Sequence, residues 1–343
     1  MKTVFHDTQR RHQPKLFLSS GAPQPNPEQP ERIDALLGGA ERAGLATIAP
    51  SDQGMAPIAA IHTSEYLVFL ENIVTRWQRI PGASEEVIPN IHPDRRSVNY
   101  PKSAVGQAGY HMADTACPIS EGSWEAMYWS AQSAIAAADS VLAGEKAAYA
   151  LCRPPGHHAF TDLAGGFCFL NNTAIAAERC RAAGMRPAIV DVDLHHGNGT
   201  QGIFYERGDV LTVSVHADPE RYYPFFWGNA QERGEGPGHG ANVNLPIPRG
   251  SGDDVFLKAL ATGLDRVRAF GADTLVIALG LDPFEGDPFG GLAVTTPGFA
   301  RIAAACAALG LPTIIVQEGG YLCPELGDNL QSFLTGFQDA HTL

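Results

Sequence analysis

The sequence predicts an α/β domain built on a parallel sheet with helices on both faces. Three observations carry this. Short β-branched runs recur along the chain, helix-length alanine-rich segments separate several of them, and no repeat, low-complexity tract or Ser/Gly linker divides its 343 residues. Strands that read as unbroken apolar runs are buried on both faces, which requires helices above and below the sheet. One domain over residues 1–343 is the economical reading.

Taken in order, Thr3–Phe5 is the first short apolar run and Glu31–Ala43 the first helix-length segment. Trp77–Ser103 then breaks the alternation. It is rich in Pro, Arg and Asn, has no clear period, and is long for a plain connection, so it reads as a functional or interface insertion. The helix Trp124–Ala143 leads into the strand Ala147–Cys152, and Asn172–Ala183 leads into Ala188–Asp193. Val210–His216 follows as a strand, then the helix Val255–Phe270, the strand Leu275–Leu281, the helix Phe299–Leu309 and the strand Thr313–Gln317. In such sheets ligands sit beyond the carboxyl ends of the strands, so chemistry is expected immediately after them.

Charge and composition narrow the function. Lys and Arg number 24 against 37 Asp and Glu, a net charge of −13. That excludes nucleic acid as a direct partner and suits a cationic substrate. No apolar run reaches the roughly 18–20 residues of a membrane span, and the first residues lack the apolar core of a secretory signal, so a cytoplasmic protein with no membrane partner is expected. The six cysteines show no metal-finger spacing and read as reduced thiols. Any metal site must therefore come from histidines and carboxylates.

Four strand ends carry unusual residues. The stretch Asp191-Val192-Asp193-Leu194-His195-His196-Gly197-Asn198-Gly199 alternates carboxylate and imidazole. In an extended segment positions two apart face the same way, so Asp193 and His195 point into one site and Asp191 backs them. Asp282 closes the apolar run Leu275–Leu281. Asp193, His195 and Asp282 together form a three-ligand set for a divalent metal that leaves positions open for water and substrate. Arg153-Pro154-Pro155-Gly156-His157-His158 places two histidines on a stiff loop. They suit general acid–base work, although neutral imidazoles also bind metal. Glu318-Gly319-Gly320-Tyr321 lets Tyr321 swing toward the site as an oxyanion donor, or leaves it a packed turn residue.

These motifs, in this order, resemble the histone deacetylase family and within it the bacterial acetylpolyamine amidohydrolases. The resemblance also rests on Pro27-Glu28-Gln29-Pro30-Glu31-Arg32-Ile33, on His62-Thr63-Ser64-Glu65-Tyr66 and on Gly165-Gly166-Phe167-Cys168-Phe169-Leu170-Asn171-Asn172. It implies the arginase–deacetylase fold, a mainly parallel sheet of about eight strands. It implies one zinc ion per chain at Asp193, His195 and Asp282, with His157 and His158 as acid–base pair and Tyr321 polarising the carbonyl. Asp191 would hold His157, and Asn198 would stand behind His158 where many relatives carry Asp. Gly166, Phe167 and Tyr223 would wall a substrate tunnel. A structural potassium ion would sit near Asp191, Asp193, His195, Ser214 and Val215. The segment at about 77–103 matches an insertion that shapes the tunnel mouth and a homodimer interface.

The expected activity is zinc-dependent hydrolysis of a small linear amide such as an acetylated amine. A protein lysine deacetylase, a catalytically silent binding protein of the same fold and an arginase-like manganese hydrolase are the competing readings. One departure bears on the substrate. The acidic mouth residues of polyamine-cleaving relatives align with Val105 and Ala116. On that alignment long acetylpolyamines should gain little over short neutral amides.

Overall fold

The computed structural model describes residues 1–94 and 99–341. Its strands are β1 (Lys2–Val4), β2 (Leu16–Ser19), β3 (Ala22–Pro25), β4 (Ala46–Ile48), β5 (Ala147–Ala150), β6 (Pro187–Asp191), β7 (Leu211–Ala217), β8 (Asn242–Ile247), β9 (Thr274–Leu279) and β10 (Thr313–Gln317). Eight form one sheet in the order β4-β1-β5-β10-β9-β6-β7-β8, and every pairing within it is parallel. β2 and β3 form a separate antiparallel hairpin.

Successive side chains of the central strands enter two different cores, as strand geometry requires. Ile314 and Val316 of β10 join Ile189 and Val276 in one core, which the helices Ser64–Trp77, Ser123–Leu142 and Asn172–Ala182 close. Ile315 joins Val190, Leu275 and Ile277 in the other, under the helices Glu31–Arg42, Asp253–Phe270, Thr296–Ala307 and Leu326–Ala340. The three-layer α/β architecture read from the sequence is therefore the one observed. Among the described residues no helix is long and apolar enough to cross a membrane.

Two sheet strands escape the sequence pattern for physical reasons. β4 has three residues, all exposed at a sheet edge. β8 reads Asn-Val-Asn-Leu-Pro-Ile, and its buried Asn242 and Asn244 both donate to Gln201 Oε1, at 3.0 and 2.8 Å. A strand whose inner face serves a polar network does not look apolar, and Pro246 is tolerated because β8 is an edge. The helix Ser64–Trp77 begins at an N-cap, Thr63, whose hydroxyl accepts from Tyr66 N.

Of the segment 77–103, Arg95–Val98 lie outside the described residues. Val87 forms a two-way bridge with Ile119, and Glu86 accepts Lys15 N at 2.8 Å just before β2. The cleft described below is lined by the β2–β3 hairpin and, among the described residues, not by this segment.

Candidate active site

Loops after β5, β6, β7, β9 and β10 meet at the carboxyl edge of the sheet, where the order of its central strands brings them together. They enclose a cleft of about 350 Å³. His158, Gly166, Phe167, His195, Tyr223 and Tyr321, all expected from the sequence, line it.

The run after β6 reaches the site by another route than strand alternation. β6 ends at Asp191. Beyond it, Asp191 Oδ1 accepts Asp193 N at 3.0 Å and Asp193 Oδ1 accepts His195 N at 2.8 Å. Each aspartate caps the amide two residues on, a turn that Asp forms readily. The outcome matches the expectation that Asp193 and His195 share a site, but side-chain turns rather than a pleat produce it.

His195 Nδ1 lies 3.3 Å from Asp193 Oδ1 and 3.1 Å from Asp282 Oδ2. Both carboxylates are fully buried. Asp282 Oδ1 also accepts Leu194 N at 3.0 Å, and Asp193 Oδ2 accepts Gly319 N at 2.9 Å. A Cβ at Gly319 would collide with both carboxylates, so the backbone approach there needs glycine. Two buried carboxylates this close need a proton or a cation between them. Burial and the Asp193 charge raise the Asp282 pKa. Burial works against a charge on His195, but Asp193 and Asp282 outweigh it and push it up to about 9. A proton on Nδ1 is thus the smallest cation that satisfies the trio. A divalent metal fits the same oxygen–nitrogen set, whose ligand atoms lie within 4.8 Å of one another. A second buried trio, His157, Cys168 and Glu318, is equally close. Its Glu318 already accepts Gly156 N, His157 N and the Thr173 hydroxyl at 2.6, 3.0 and 2.6 Å, which makes it a strut for the histidine loop.

The two histidines are backed differently. His157 Nδ1 contacts Asp191 Oδ2 at 3.0 Å, and His158 Nδ1 contacts Asn198 Oδ1 at 2.7 Å. Burial lowers the His157 pKa, but Asp193 and Asp191 more than reverse this, to about 10. Burial, then the charges of His157 and His195, hold His158 well below the usual imidazole range. An amide oxygen cannot compensate as a carboxylate would.

Tyr321 is buried against Phe167 and Phe289, and burial raises its pKa, so it keeps its proton. Two residues that the motifs alone did not single out hold it. Arg32 donates to the carbonyls of Gly320 and Glu318 at 2.6 and 2.8 Å, pairs with Glu28 at 2.8 Å, and lies over the Tyr321 ring. Asp287 accepts Tyr321 N at 3.0 Å and Phe289 N at 2.9 Å. These contacts fasten the backbone at Tyr321, and the glycines before it allow its close approach to Asp193, Asp282 and Leu281.

The aromatic walls come from Phe167, Tyr222, Tyr223 and Phe289, with Phe17 of β2 at the mouth. Tyr223 packs edge-on to His158, with ring centroids 4.9 Å apart. Gly166 has φ +53°, and any Cβ there would meet the His158 ring and the Tyr223 hydroxyl. Ala116 lines the cleft, whereas Val105 packs against the core. Asp191 and Ser214 are direct partners across β6 and β7, and Ser214 Oγ lies 2.8 Å from His216 Nδ1.

The histone deacetylase domain matches residues 26–337. An acetylpolyamine amidohydrolase of Burkholderia pseudomallei is 48% identical over 98% of each chain. Another, from Mycoplana ramosa, is 42% identical over 98% of this chain and 99% of its own. The crystal structure of an acetylpolyamine aminohydrolase from Burkholderia pseudomallei superposes with a TM-score of 0.96, at 47% identity and 99% coverage of both chains. With the sheet, the strand-end motifs and these matches agreeing over nearly its whole length, the chain belongs to the histone deacetylase family.

Proposed function

We propose that this protein hydrolyses the amide bond of a small acetylated amine, with acetylpolyamines and related acetylated diamines as its substrate class. The observation that carries the reading is one cleft that joins Asp193, His195 and Asp282 to the His157–His158 pair and Tyr321. One divalent cation, zinc on this reading, would be held by that trio and would supply Lewis acidity toward the amide carbonyl and toward water.

The chain's own groups divide the remaining work. Asp191 holds His157 at Nδ1 and, with Asp193, favours its protonated ring. Asn198 fixes the Nδ1–H tautomer of His158 and leaves its Nε2 as a base. A neutral His158 accepts a proton from water as it attacks and returns it to the leaving amine. The Tyr321 hydroxyl donates to the carbonyl oxygen as that oxygen gains charge. The aromatic walls hold a slim substrate in line and keep bulk water from the amide.

A potassium ion near Asp191, Asp193, His195, Ser214 and Val215 would brace the β6–β7 edge, consistent with the pairing of Asp191 and Ser214. We also infer a homodimer in which segment 77–103 contributes the interface and narrows access from outside the chain. A panel of N-acetylputrescine, N-acetylspermidine, simple N-alkylacetamides and acetyl-lysine peptides tests the function. Cleavage of the small amides far ahead of the peptides is expected, and cleavage of the peptides alone would overturn it.

A further inference from the structure

Polyamine-type substrates carry an ammonium group a few methylenes from the amide, and a site that prefers them must meet that charge. The aligned mouth positions cannot. Val105 is turned into the core, and Ala116 is neutral. The cleft wall nevertheless carries a carboxylate two residues before Ala116. Asp114 lines the cleft, and among the described lining residues it is the only acidic one.

Its setting is built. Asp114 Oδ2 accepts the Tyr223 hydroxyl at 2.8 Å and Gly166 N at 3.1 Å, and Oδ1 accepts Ala116 N at 2.9 Å. Cys117 Sγ stands 3.7 Å from Oδ1. These donors fix the carboxylate at the hydroxyl of Tyr223, whose ring packs edge-on to His158. The charge therefore sits in the cleft wall beside Gly166, near the acid–base histidine, where the tail of a linear substrate can meet it. The second donor to Oδ1 is only the weak Cys117 thiol, whose single proton is shared with the Asp114 carbonyl, so Oδ1 can exchange it for a stronger cationic donor. Phe17 and Phe225 add aromatic surface to the same cleft, which tolerates a cation better than an anion. Arg221, at the rim, is the opposing charge on this lining and is solvent-exposed, where screening weakens it.

We propose that Asp114 is the specificity-determining residue that receives the substrate's free ammonium group, replacing acidic residues absent at Val105 and Ala116. The inference rests on the amidohydrolase reading above and gives it a cation subsite. It also reverses the expectation that charged substrates gain little here.

The bland alternative makes Asp114 a strut that holds Tyr223 and Gly166 in the wall. The two differ in sign. Asp114→Asn removes the charge. Tyr223→Phe removes one donor, keeps the charge and frees a lone pair on Oδ2. The test is the ratio of kcat/KM for N-acetylputrescine to that for N-pentylacetamide, its uncharged analogue of the same length, measured on metal-loaded enzyme. Asp114→Asn should lower the ratio by about tenfold or more, as befits a charge pair in a partly desolvated site. Tyr223→Phe should hold or raise it, and Asp114→Glu should recover part of it. An unchanged ratio in Asp114→Asn overturns the proposal, as does a parallel fall in both variants. Should Asp114→Asn fail to fold, the direction of the ratio in Tyr223→Phe decides. If the wild type cleaves neither amide, the amidohydrolase reading falls by itself. Calorimetric binding of putrescine, present in the wild type and lost in Asp114→Asn, would then still uphold Asp114, and equal binding by both would refute it.

Discussion

Tyr321 is not one of the proposed metal ligands, yet it lines the same cleft with its phenol protonated. Its hydroxyl matters where the carbonyl oxygen gains charge, so its loss should appear in kcat rather than in KM. Tyr321→Phe should lower kcat by about 10²–10³ with KM little changed. Retention of more than about a third of wild-type kcat would make it a wall residue. His158 offers a second test. Its pKa is held low by burial and by the charges of His157 and His195, with only an amide oxygen at Nδ1. Asn198→Asp places a carboxylate there and favours the protonated ring. Because the base must be neutral, the acidic limb of kcat/KM should move up by at least about one pH unit. An unmoved limb would mean that another group titrates. At this scale the sequence was most informative, since unusual residues at strand ends have few other uses. Asp114 and Asp287 stayed hidden because a lone Asp outside a dense motif looks like any loop residue. Only folding shows which amides and hydroxyls it accepts.

The loop from Arg153 to Asn171 carries both histidines and is pinned to its neighbours by His62. His62 Nε2 accepts Asn171 N at 2.9 Å, and Nδ1 faces the carbonyl of Thr161 at 3.2 Å, so the ring must donate on one side and accept on the other. A neutral ring does both. Burial lowers its pKa to about 4 from an ordinary value of 6.5. The unfolded chain therefore binds one more proton than the folded chain between those values. Stability from this residue is complete above pH 6.5 and is lost as the pH falls toward 4, by up to about 3 kcal/mol. His62→Gln can keep both bonds without titrating. Its denaturation midpoint should gain on wild type as the pH falls through this window, and parallel pH profiles would refute the assignment. The motif His62–Tyr66 was legible in the sequence, and its purpose is this anchoring. The helices and strands found by pattern were those with a clean apolar face. β8, whose inner face is asparagine, and the exposed β2–β3 hairpin gave no such signal.

For the whole molecule, the two-sided core and the parallel sheet follow from alternating strands and helices, which is why the fold class could be read directly. Partner contacts could not, because the segment proposed as an interface, 77–103, has no internal periodicity to betray that role. Sedimentation at micromolar concentration should give a dimer, and deletion of the segment should give monomers with wider substrate tolerance. A monomeric wild type would remove the interface role. The trio at the sheet's carboxyl edge is proposed to hold one catalytic divalent ion. That role is tested most directly by adding zinc to metal-stripped protein while following both calorimetric binding and N-acetylputrescine hydrolysis. Activity should rise from near zero and level off at one equivalent per chain, and Asp282→Ala should neither bind nor cleave. Full activity in the stripped protein, or unimpaired binding and cleavage by Asp282→Ala, would contradict it.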